Sequence, residues 1–422
     1  MQMRWQRPYS PYCANLKKRG NGAKRPSPRR SPFPHQPLHG KTGRALPNTA
    51  MTLFCLDART ATDHFPGIGR YVSNLAQAIA PKLTNGERLL LLRDPSQPSR
   101  WQLPPQSEKV TWLDAAVSPF SLSQQWQISR LLKQFDITVY HSPYYLMPYR
   151  LTWPTVLTLY DLIPQKYPEY VSARVRLLFQ LTTKLAIRSS NRIIAISEAA
   201  RQDVMAAYPV PPEKITAVPL GPDPHFQPQP AAEIDRVRQK YGLPKRYALY
   251  LGSNKPHKNL ERLVQAWELA AKTTSHQLVI AGAWDDRYPQ AKALAEQKQI
   301  NGIRFLGPVD DADLPALYSG AQVFIFPSLY EGFGLPVIEA MACGAAVTCS
   351  HTASLPEVGG DAALYFDPLN TAEMAQQISR LLADTPLREE LAANGLAQSQ
   401  KFSWQETAAA TLQIYRSLTT NH

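Results

Sequence analysis

Two glutamates eight positions apart lie in the most distinctive segment of the chain, Phe326 to Gly344. A hydrophobic run ends at Phe326, a Gly-Phe-Gly turn follows, and a helical pattern starts near Leu335. The first N–H groups of a helix have no partner within it, and glycines let a ligand approach the backbone, so this turn predicts an anion site. Glu331 precedes the turn and Glu339 follows it. Carboxylates accept hydrogen bonds from hydroxyl groups, so the pair indicates a ligand with both phosphate and hydroxyl groups, such as a nucleotide sugar.

Each glutamate also has a plain structural interpretation. Glu331 could simply complement the dipole of the following helix. Glu339 could lie on a solvated helix face. The spacing alone leaves both interpretations open.

A second polar segment, Tyr250 to Leu260, again follows a predicted strand and precedes a predicted helix. Lys255 and Lys258 could hold a diphosphate as point charges. The alternative is an ordinary solvated loop in which Asn259 caps the helix.

Two glycines, Gly67 and Gly69, separate the first predicted strand from the first predicted helix. A dinucleotide fingerprint needs a third glycine, and Val72 stands in its place, so a nicotinamide enzyme is disfavoured. A tight turn that admits a phosphate or an acceptor remains open.

Single polar residues end two further predicted strands. His141 and Asp161 would both point into the ligand cleft of a parallel α/β fold, and Asp161 is a candidate catalytic side chain. A hydrogen-bonded structural role is the alternative for each.

Strand-like and helix-like segments alternate along the chain, which predicts βαβ units and parallel sheets. Strands are predicted near 52–57, 88–92, 137–140, 155–160, 192–196, 247–252, 277–281, 303–306 and 322–326. Helices are predicted near 69–83, 121–134, 172–189, 198–208, 259–273, 335–343, 371–384 and 387–400. The proline-rich stretch 209–230 is the candidate linker. We therefore predict two doubly wound α/β domains, 51–225 and 226–402, with the ligand in the cleft between them.

The charge of the chain is concentrated in its first segment. The 422 residues carry a formal net charge of +13, and residues 1–50 contain eleven Lys or Arg, eight Pro and no Asp or Glu. Without that segment the net charge falls to +2, which argues against a nucleic-acid-binding body. Such a composition predicts disorder. The segment is a basic arm, a transit peptide or an upstream translation artefact preceding a start at Met51, and the last interpretation is favoured.

Other compositional features exclude further classes. No run of 18 apolar residues is present, so no transmembrane helix is predicted. Cys13, Cys55, Cys343 and Cys349 lack metal-ligand spacing and are expected to be inert, mostly buried thiols.

The full motif around Glu331 and Glu339, Pro-Ser-Leu-Tyr-Glu-Gly-Phe-Gly-Leu-Pro-Val-Ile-Glu-Ala-Met-Ala-Cys-Gly, resembles the signature of family 4 of the retaining glycosyltransferases, which have the GT-B fold. The resemblance covers about residues 52–420. Supporting segments occur in the expected order at 67–71, 158–164, 195–198, 252–260, 304–307, 354–358 and 402–404.

The resemblance implies roles for individual residues. Glu331 would contact hydroxyls of the transferred sugar, Glu339 the ribose hydroxyls, and Lys258 the diphosphate. With Asp161, Glu331 and Lys258 are the expected catalytic residues. Further donor-binding positions are Gly67, Gly69, Ser253, Phe333, Gly334 and Leu335. The family implies no metal and no cofactor besides the donor, and a final helix in 403–422 that packs back on the first domain.

Two positions depart from many relatives. Ser253 stands where these have Arg, and Tyr160 stands where they have His near the reacting sugar. A nucleotide-sugar-binding pseudoenzyme therefore remains an alternative.

The same resemblance suggests the substrates. GDP-mannose is the first choice of donor and UDP-glucose the next, and the acceptor would be a glycan or lipid-linked glycan in cell-surface polysaccharide synthesis. Such an acceptor implies a cytoplasmic enzyme with peripheral membrane contact and no nucleic-acid partner. The remaining alternatives are a GT-B-like sugar-nucleotide epimerase and a basic-tailed nucleic-acid-binding protein.

Overall fold

The structure, a computed structural model, describes residues 51–64 and 66–419. The predictions for residues 1–50, including Cys13, lie outside the described residues. Cys55, Cys343 and Cys349 are buried free thiols, as expected. No helix in the described ranges is both long enough and apolar enough to span a membrane.

The first half of the chain forms a seven-stranded, fully parallel sheet with the order β3-β2-β1-β4-β5-β6-β7. The strands are β1 (Thr52–Asp57), β2 (Glu87–Arg93), β3 (Val110–Asp114), β4 (Ile137–Ser142), β5 (Thr155–Leu159), β6 (Arg192–Ala195) and β7 (Ile215–Ala217). The helices are α1 (Pro66–Ile79), α2 (Gln124–Leu132), α3 (Ile163–Lys166), α4 (Ala173–Ser189) and α5 (Glu198–Ala207).

The second half forms a six-stranded parallel sheet with the order β10-β9-β8-β11-β12-β13. Its strands are β8 (Tyr247–Leu251), β9 (Gln277–Ala281), β10 (Ile303–Gly307), β11 (Val323–Phe326), β12 (Ala346–Ser350) and β13 (Ala363–Phe366). Its helices are α6 (Ala231–Lys240), α7 (Leu260–Ala270), α8 (Gln290–Gln297), α9 (Leu314–Ser319), α10 (Leu335–Ala342), α11 (Leu355–Gly359), α12 (Thr371–Ala383) and α13 (Thr385–Ser399).

Several strands of both sheets are hydrophobic on both faces, as is typical of parallel sheets. Val323–Phe326 is buried along its whole length, as are Thr155–Leu159 and Ala346–Ser350. Continuous apolar runs of this kind need helices on both sides of the sheet. The prediction of two doubly wound α/β units is therefore confirmed.

The sequence analysis missed four strands. β3, β12 and β13 were not predicted, and β7 lies inside the proline-rich stretch taken as a linker. That stretch therefore completes the first sheet before it connects to the second. The strand of Ile215–Ala217 is only three residues long, too short for a hydrophobic pattern to reveal it.

Both sheets change winding direction at one point, between β1 and β4 in the first and between β8 and β11 in the second. Ligands of doubly wound folds bind beyond the carboxyl ends of the strands at such points. The segments after β8 and β11 contain the two polar motifs of the sequence. The fold therefore brings Lys258 and Glu331 together beyond the carboxyl ends of β8 and β11, the two central strands of the second sheet.

The last helix, α14 (Trp404–Thr419), packs against α1 and β4 of the first half. The chain passes close to the interdomain connection here, since a Cβ on Gly221 would lie 2.6 Å from the backbone of Ser403. The hydroxyl of Thr407 donates to the carbonyl oxygen of Pro219 at 2.7 Å. The final helix thus ties the two halves together.

His141 belongs to this anchor, which confirms the hydrogen-bonded structural role and excludes the alternative that it points into the cleft. Its Nδ1 lies 2.6 Å from the hydroxyl of Tyr415 on α14, and its Nε2 lies 2.7 Å from Oγ1 of Thr158. Tyr71 shares the same Thr158 hydroxyl at 2.9 Å. Burial lowers the pKa of His141 to about 3, so the ring is neutral and structural.

Candidate functional site

Lys258 and Glu331 form an ion pair beyond the carboxyl ends of the central strands β8 and β11. Nζ of Lys258 lies 2.6 Å from Oε1 of Glu331, and both side chains are mostly buried. The ammonium also lies 5.3 Å from the ring centroid of Phe326, the last residue of β11. The sequence placed these groups in separate motifs 73 residues apart, and the fold brings them into contact.

The turn after Glu331 is fixed by contacts with both domains. A Cβ on Gly332 would lie 2.1 Å from the carbonyl oxygen of Tyr160, so only glycine fits there. The hydroxyl of Ser197 donates to the carbonyl oxygen of Gly332 at 2.7 Å. Ser354 is hydrogen-bonded to the carbonyl oxygens of Glu331 at 2.9 Å and Phe333 at 2.7 Å. The turn is therefore held rigidly against the first domain.

Helix α10 starts directly after this turn. Gly334 has a φ of 108°, which favours glycine and turns the chain into the helix. Within the described residues, no group accepts a hydrogen bond from the backbone N–H of Phe333, Gly334 or Leu335. These three donors, with the positive end of the helix dipole, can bind an anion.

Glu339, on α10, is buried, so the interpretation as a solvated helix face is wrong. Its carboxylate accepts a hydrogen bond from Arg70 of α1 and another, at 3.1 Å, from the hydroxyl of Tyr318. Burial raises the pKa of Glu339, and the guanidinium of Arg70 opposes that shift. Arg70 also lies 3.6 Å from Asp223, so it bridges carboxylates of two segments.

Arg70 lies in the supporting segment 67–71, and no role was predicted for it from the sequence. Its ion pair with Glu339 spans 269 positions, which no local pattern reveals. The available signal was weaker: Arg70 is the one charged residue within helix α1.

The glycine pair before Arg70 lies in the first turn of α1, so the expected tight turn between strand and helix is instead helical. A Cβ on Gly69 would lie 2.2 Å from the indole of Trp101, so Gly69 serves close packing of the helix. Gly67 is exposed, and a Cβ there would have no atom within 4 Å. The assignment of both glycines to donor binding stays a prediction.

Asp161 and Tyr160 meet the turn from the first domain. Oδ1 of Asp161 accepts the backbone N–H of Ile163 at 3.0 Å. Burial raises the pKa of Asp161; the hydrogen bond from Ile163 opposes that shift and the carboxylate of Glu331 adds to it. The Tyr160 ring packs edge-on against Tyr71 with centroids 5.4 Å apart.

The polar loop after β8 is partly buried, contrary to the solvated-loop interpretation. Asn254 donates to the carbonyl oxygens of Asp285 and Tyr288, both at 2.8 Å. The carbonyl oxygen of Ser253 accepts the hydroxyl of Tyr250 at 2.7 Å. Asn254 therefore fixes the loop in which Ser253 and Lys255 lie.

Asn259 occupies the N-cap position of α7, but its side chain does not cap the helix. It donates instead to the carbonyl oxygens of Pro327 at 3.1 Å and Pro368 at 2.8 Å. Its φ of 61° is left-handed, a conformation that asparagine tolerates. This contact locks the loop of Lys258 onto the end of β11.

Two cavities border the site. One of about 400 Å³ is lined by Tyr170, Lys255, Arg262 and Tyr288, among others. The other, of about 560 Å³, is lined by Lys166, Asp203 and Tyr330, among others. Leu329 lines both. The carboxylates of Glu331 and Glu339 are each paired with a cation in this structure, Lys258 and Arg70 respectively.

No group of three or more His, Cys, Asp or Glu side chains within 51–64 and 66–419 is arranged to hold a metal ion. This absence does not test whether the reaction needs a metal. The prediction that it needs none rests on the family resemblance.

Comparison with sequence families gives two matches that together cover most of the body. Residues 66–226 match the model of Glycosyltransferase Family 4. Residues 233–398 match the model of Glycosyl transferases group 1. The two matches fall on the two halves of the structure.

Two similar proteins come from Escherichia coli. One is the O-antigen chain mannosyltransferase B, 37% identical over 294 residues that cover 68% of this chain and 76% of the relative. The other is the serotype-specific mannosyltransferase WbdA, 32% identical over 274 residues that cover 63% of this chain. The chain spans about a third (34%) of WbdA.

Among solved structures, the sucrose-phosphate synthase of Thermosynechococcus elongatus has a TM-score of 0.71 at 22% identity, over 88% of this chain and all of that one. At this identity the similarity concerns the fold, and it supports the expected two-domain GT-B architecture.

Proposed function

Since the chain belongs to the family 4 glycosyltransferases, we propose that it transfers mannose from GDP-mannose to a hydroxyl group of a growing cell-surface polysaccharide. The acceptor is a glycan or lipid-linked glycan, and the enzyme works at the inner face of the membrane. UDP-glucose is the next choice of donor. Both E. coli relatives are mannosyltransferases, which supports the choice of mannose. These relatives do not favour an epimerase or a nucleic-acid-binding protein.

The observation that carries the proposal is the Lys258–Glu331 pair beside the unused N–H groups at the start of α10. A cation and three N–H donors suit the diphosphate of a donor, whose negative charge grows as the sugar leaves. A carboxylate suits the hydroxyls of the sugar. In the proposed complex, Lys258 exchanges Glu331 for the diphosphate, and Glu331 turns to the sugar.

The ribose of the donor binds at Glu339. Its hydroxyls would replace the contact with Arg70, whose guanidinium keeps Asp223 within reach. Tyr318 keeps its hydrogen bond to the other carboxylate oxygen and so holds the orientation of Glu339. Gly67 leaves open space on the first-domain side.

We propose a transfer that retains the anomeric configuration and needs no metal. The acceptor oxygen bonds to the anomeric carbon on the face from which the diphosphate departs. The bond between that carbon and the diphosphate oxygen breaks, and the hydroxyl proton passes to a diphosphate oxygen. The protein positions the reactants and stabilises the leaving group.

Nucleotide release tests the donor and the metal. GDP-mannose, UDP-glucose, UDP-galactose and UDP-N-acetylglucosamine are offered separately, each with and without a chelator. The expected result is slow GDP release from GDP-mannose that the chelator does not reduce. Release from a UDP-sugar alone overturns the choice of donor, and loss of release with the chelator overturns metal independence.

The stereochemistry needs a second experiment. The product formed on an acceptor glycan is analysed by NMR as soon as it appears. An axial, α-configured linkage from the α-configured donor is expected. A β-linkage contradicts retention.

A further inference from the structure

Large exposed hydrophobic side chains are concentrated on the first domain. Of the eleven found in the described ranges, eight lie in two segments, 120–126 and 175–185. Scattered single residues of this kind need no explanation, but a continuous apolar surface marks a contact site.

Helix α4 carries most of this surface. Leu177, Leu178, Leu181 and Leu185 are 46–57% exposed. Leu181 and Leu185 follow the first pair at spacings of three and four residues, so all four form one stripe on the outer side. We call these four residues the leucine face. Phe179, Thr183, Ala186 and Ile187 form the opposite, buried side. The solvent-facing side of the helix therefore carries exposed leucines among the exposed basic residues Arg174, Lys184 and Arg188.

The segment 120–126 lies beside the same loop as α4. Oε1 of Gln125 accepts the backbone N–H of Tyr149 at 2.9 Å. The ring of Tyr145 packs edge-on against Phe179 of α4, with centroids 5.0 Å apart. Leu122 and Trp126 are exposed too, in a segment that is joined to α4 through the 144–149 loop.

The charged residues of helix α4 are all basic. Acidic residues, among them Asp136 and Glu169, lie at the ends of the neighbouring segments. The segments 115–135, 137–160 and 170–197 contain no Asp or Glu. They contain eight basic residues: Arg130, Lys133, Arg150, Arg174, Arg176, Lys184, Arg188 and Arg192. The body as a whole is close to neutral, so this basic, leucine-rich surface is a local property.

We propose that the leucine face, with Leu122 and Trp126, docks on an anionic lipid bilayer. The leucines enter the boundary between headgroups and acyl chains, and the surrounding Arg and Lys side chains bind lipid phosphates. A second copy of this chain fits less well, because a symmetric contact would set these basic residues against each other. Nucleic acid offers no apolar surface to a stripe of leucines.

Docking there suits the position of the cleft. Helix α4 starts three residues after Tyr170, which lines the cavity that also contains Lys255. The bilayer would thus lie against a helix whose first residue is close in the chain to the lining of that cavity. Lipid binding is measured without donor, so it and the proposed function can fail separately.

The test is co-sedimentation of the full chain with vesicles of phosphatidylglycerol and phosphatidylcholine, and with phosphatidylcholine alone. The triple variant Leu177→Gln/Leu181→Gln/Leu185→Gln keeps good helix formers at exposed positions. Leu269→Gln/Leu369→Gln, exposed leucines of the second domain, is the matched control. We expect the wild type and the control to bind the anionic vesicles at physiological ionic strength, and the triple variant to bind at least about tenfold more weakly.

Hydrogen exchange locates the contact independently of any binding by the basic residues 1–50. Anionic vesicles should protect peptides that cover 173–189 and 119–127, and the triple variant should lose that protection. Unchanged sedimentation of the triple variant, or protection confined to other peptides, overturns the proposal. A wild-type dimer that becomes monomeric in the triple variant would also overturn it, because the leucine face would then be a protein interface.

Discussion

The buried pair of Arg70 and Glu339 makes stability depend on pH in a defined direction. Burial raises the folded-state pKa of Glu339, so its ionisation costs stability as the pH rises through that pKa. Arg70 limits this cost. In Arg70→Met the pKa of Glu339 rises further, and Asp223 loses its nearby cation.

We therefore expect Arg70→Met to lower the melting temperature more at pH 8 than at pH 5. Breaking a buried pair costs about 3 kcal/mol or more when the remaining charge stays ionised. Thermal unfolding across this pH range measures the difference. Arg246→Met, at an exposed position of the second domain, is the control. A loss of stability that is independent of pH contradicts the assignment.

His141 makes the stability of the fold depend on pH in the opposite direction. Its folded-state pKa of about 3 lies below its usual value of about 6.5, so the unfolded chain binds the proton first and stability falls as the pH drops below 6.5. His141→Gln removes that titration. The stability difference between wild type and variant should shrink by roughly 2 to 3 kcal/mol between pH 7.5 and pH 4.5. Urea unfolding at both pH values measures it, and a constant difference would show that folding does not lower the pKa of His141.

The turn between β11 and α10 acts as a unit that positions Glu331. In Gly332→Ala the new methyl group would meet the carbonyl oxygen of Tyr160 at 2.1 Å, so the turn must move. Displacement of a positioned group by about an ångström costs up to about 100-fold in rate. We expect Gly332→Ala to lose at least about tenfold in kcat/KM.

Gly395→Ala is the matched control for that variant, because its methyl group would meet mainly the flexible side chain of Met341, at 3.2 Å. Its activity should stay within about twofold of wild type. Equal activities of the two variants would show that the turn does not position the catalytic group.

The sequence predicted the elements that carry strong hydrophobic patterns. The buried strands Thr52–Asp57 and Val323–Phe326 and the helix Ala173–Ser189 lie within two residues of their predicted bounds. It missed Ile215–Ala217, which is short and surrounded by prolines. A hydrophobic pattern does not reveal a short strand that is stabilised by pairing with its neighbour in the sheet.

For the candidate site, the motifs indicated residues but not all of their contacts. Glu331 and Lys258 were identified from their motifs, because the types and spacing of their neighbours are specific. The partner of Glu339 was not, since the contact with Arg70 depends on how two domains face each other. Single-residue assignments to the cleft, such as His141, fail when another element covers the end of the strand.

The two halves of the molecule are held together by α14 and by polar contacts across the cleft. The helix buries Trp404, Ala408, Leu412, Tyr415 and Leu418. Across the cleft, the carboxylate of Glu357 accepts the backbone N–H of Glu198 at 2.9 Å. Polar contacts of this kind can be exchanged for contacts with a ligand, whereas the apolar contact of α14 is permanent.

Deletion of residues 404–422 should therefore prevent stable folding. Burial of a large apolar side chain stabilises a protein by about 1.5–3 kcal/mol, and several are lost together, which approaches the whole stability of a domain. We expect the truncated chain to be found in the insoluble fraction, or to bind much more of a dye that detects exposed hydrophobic surface. Deletion of residues 420–422 is the control. A soluble truncated chain with a wild-type melting temperature contradicts this role of α14.

The central claim is that Lys258 and Glu331 form the transfer centre. The most direct measurement is the rate of nucleotide release by Glu331→Ala and Lys258→Ala, beside Glu390→Ala and Lys245→Ala at exposed positions of the same domain. Loss of one charged hydrogen bond of about 1.5–3 kcal/mol predicts roughly 10- to 150-fold slower release in the first two variants. The two controls should release nucleotide at the wild-type rate. Wild-type turnover by both site variants would show that transfer occurs elsewhere.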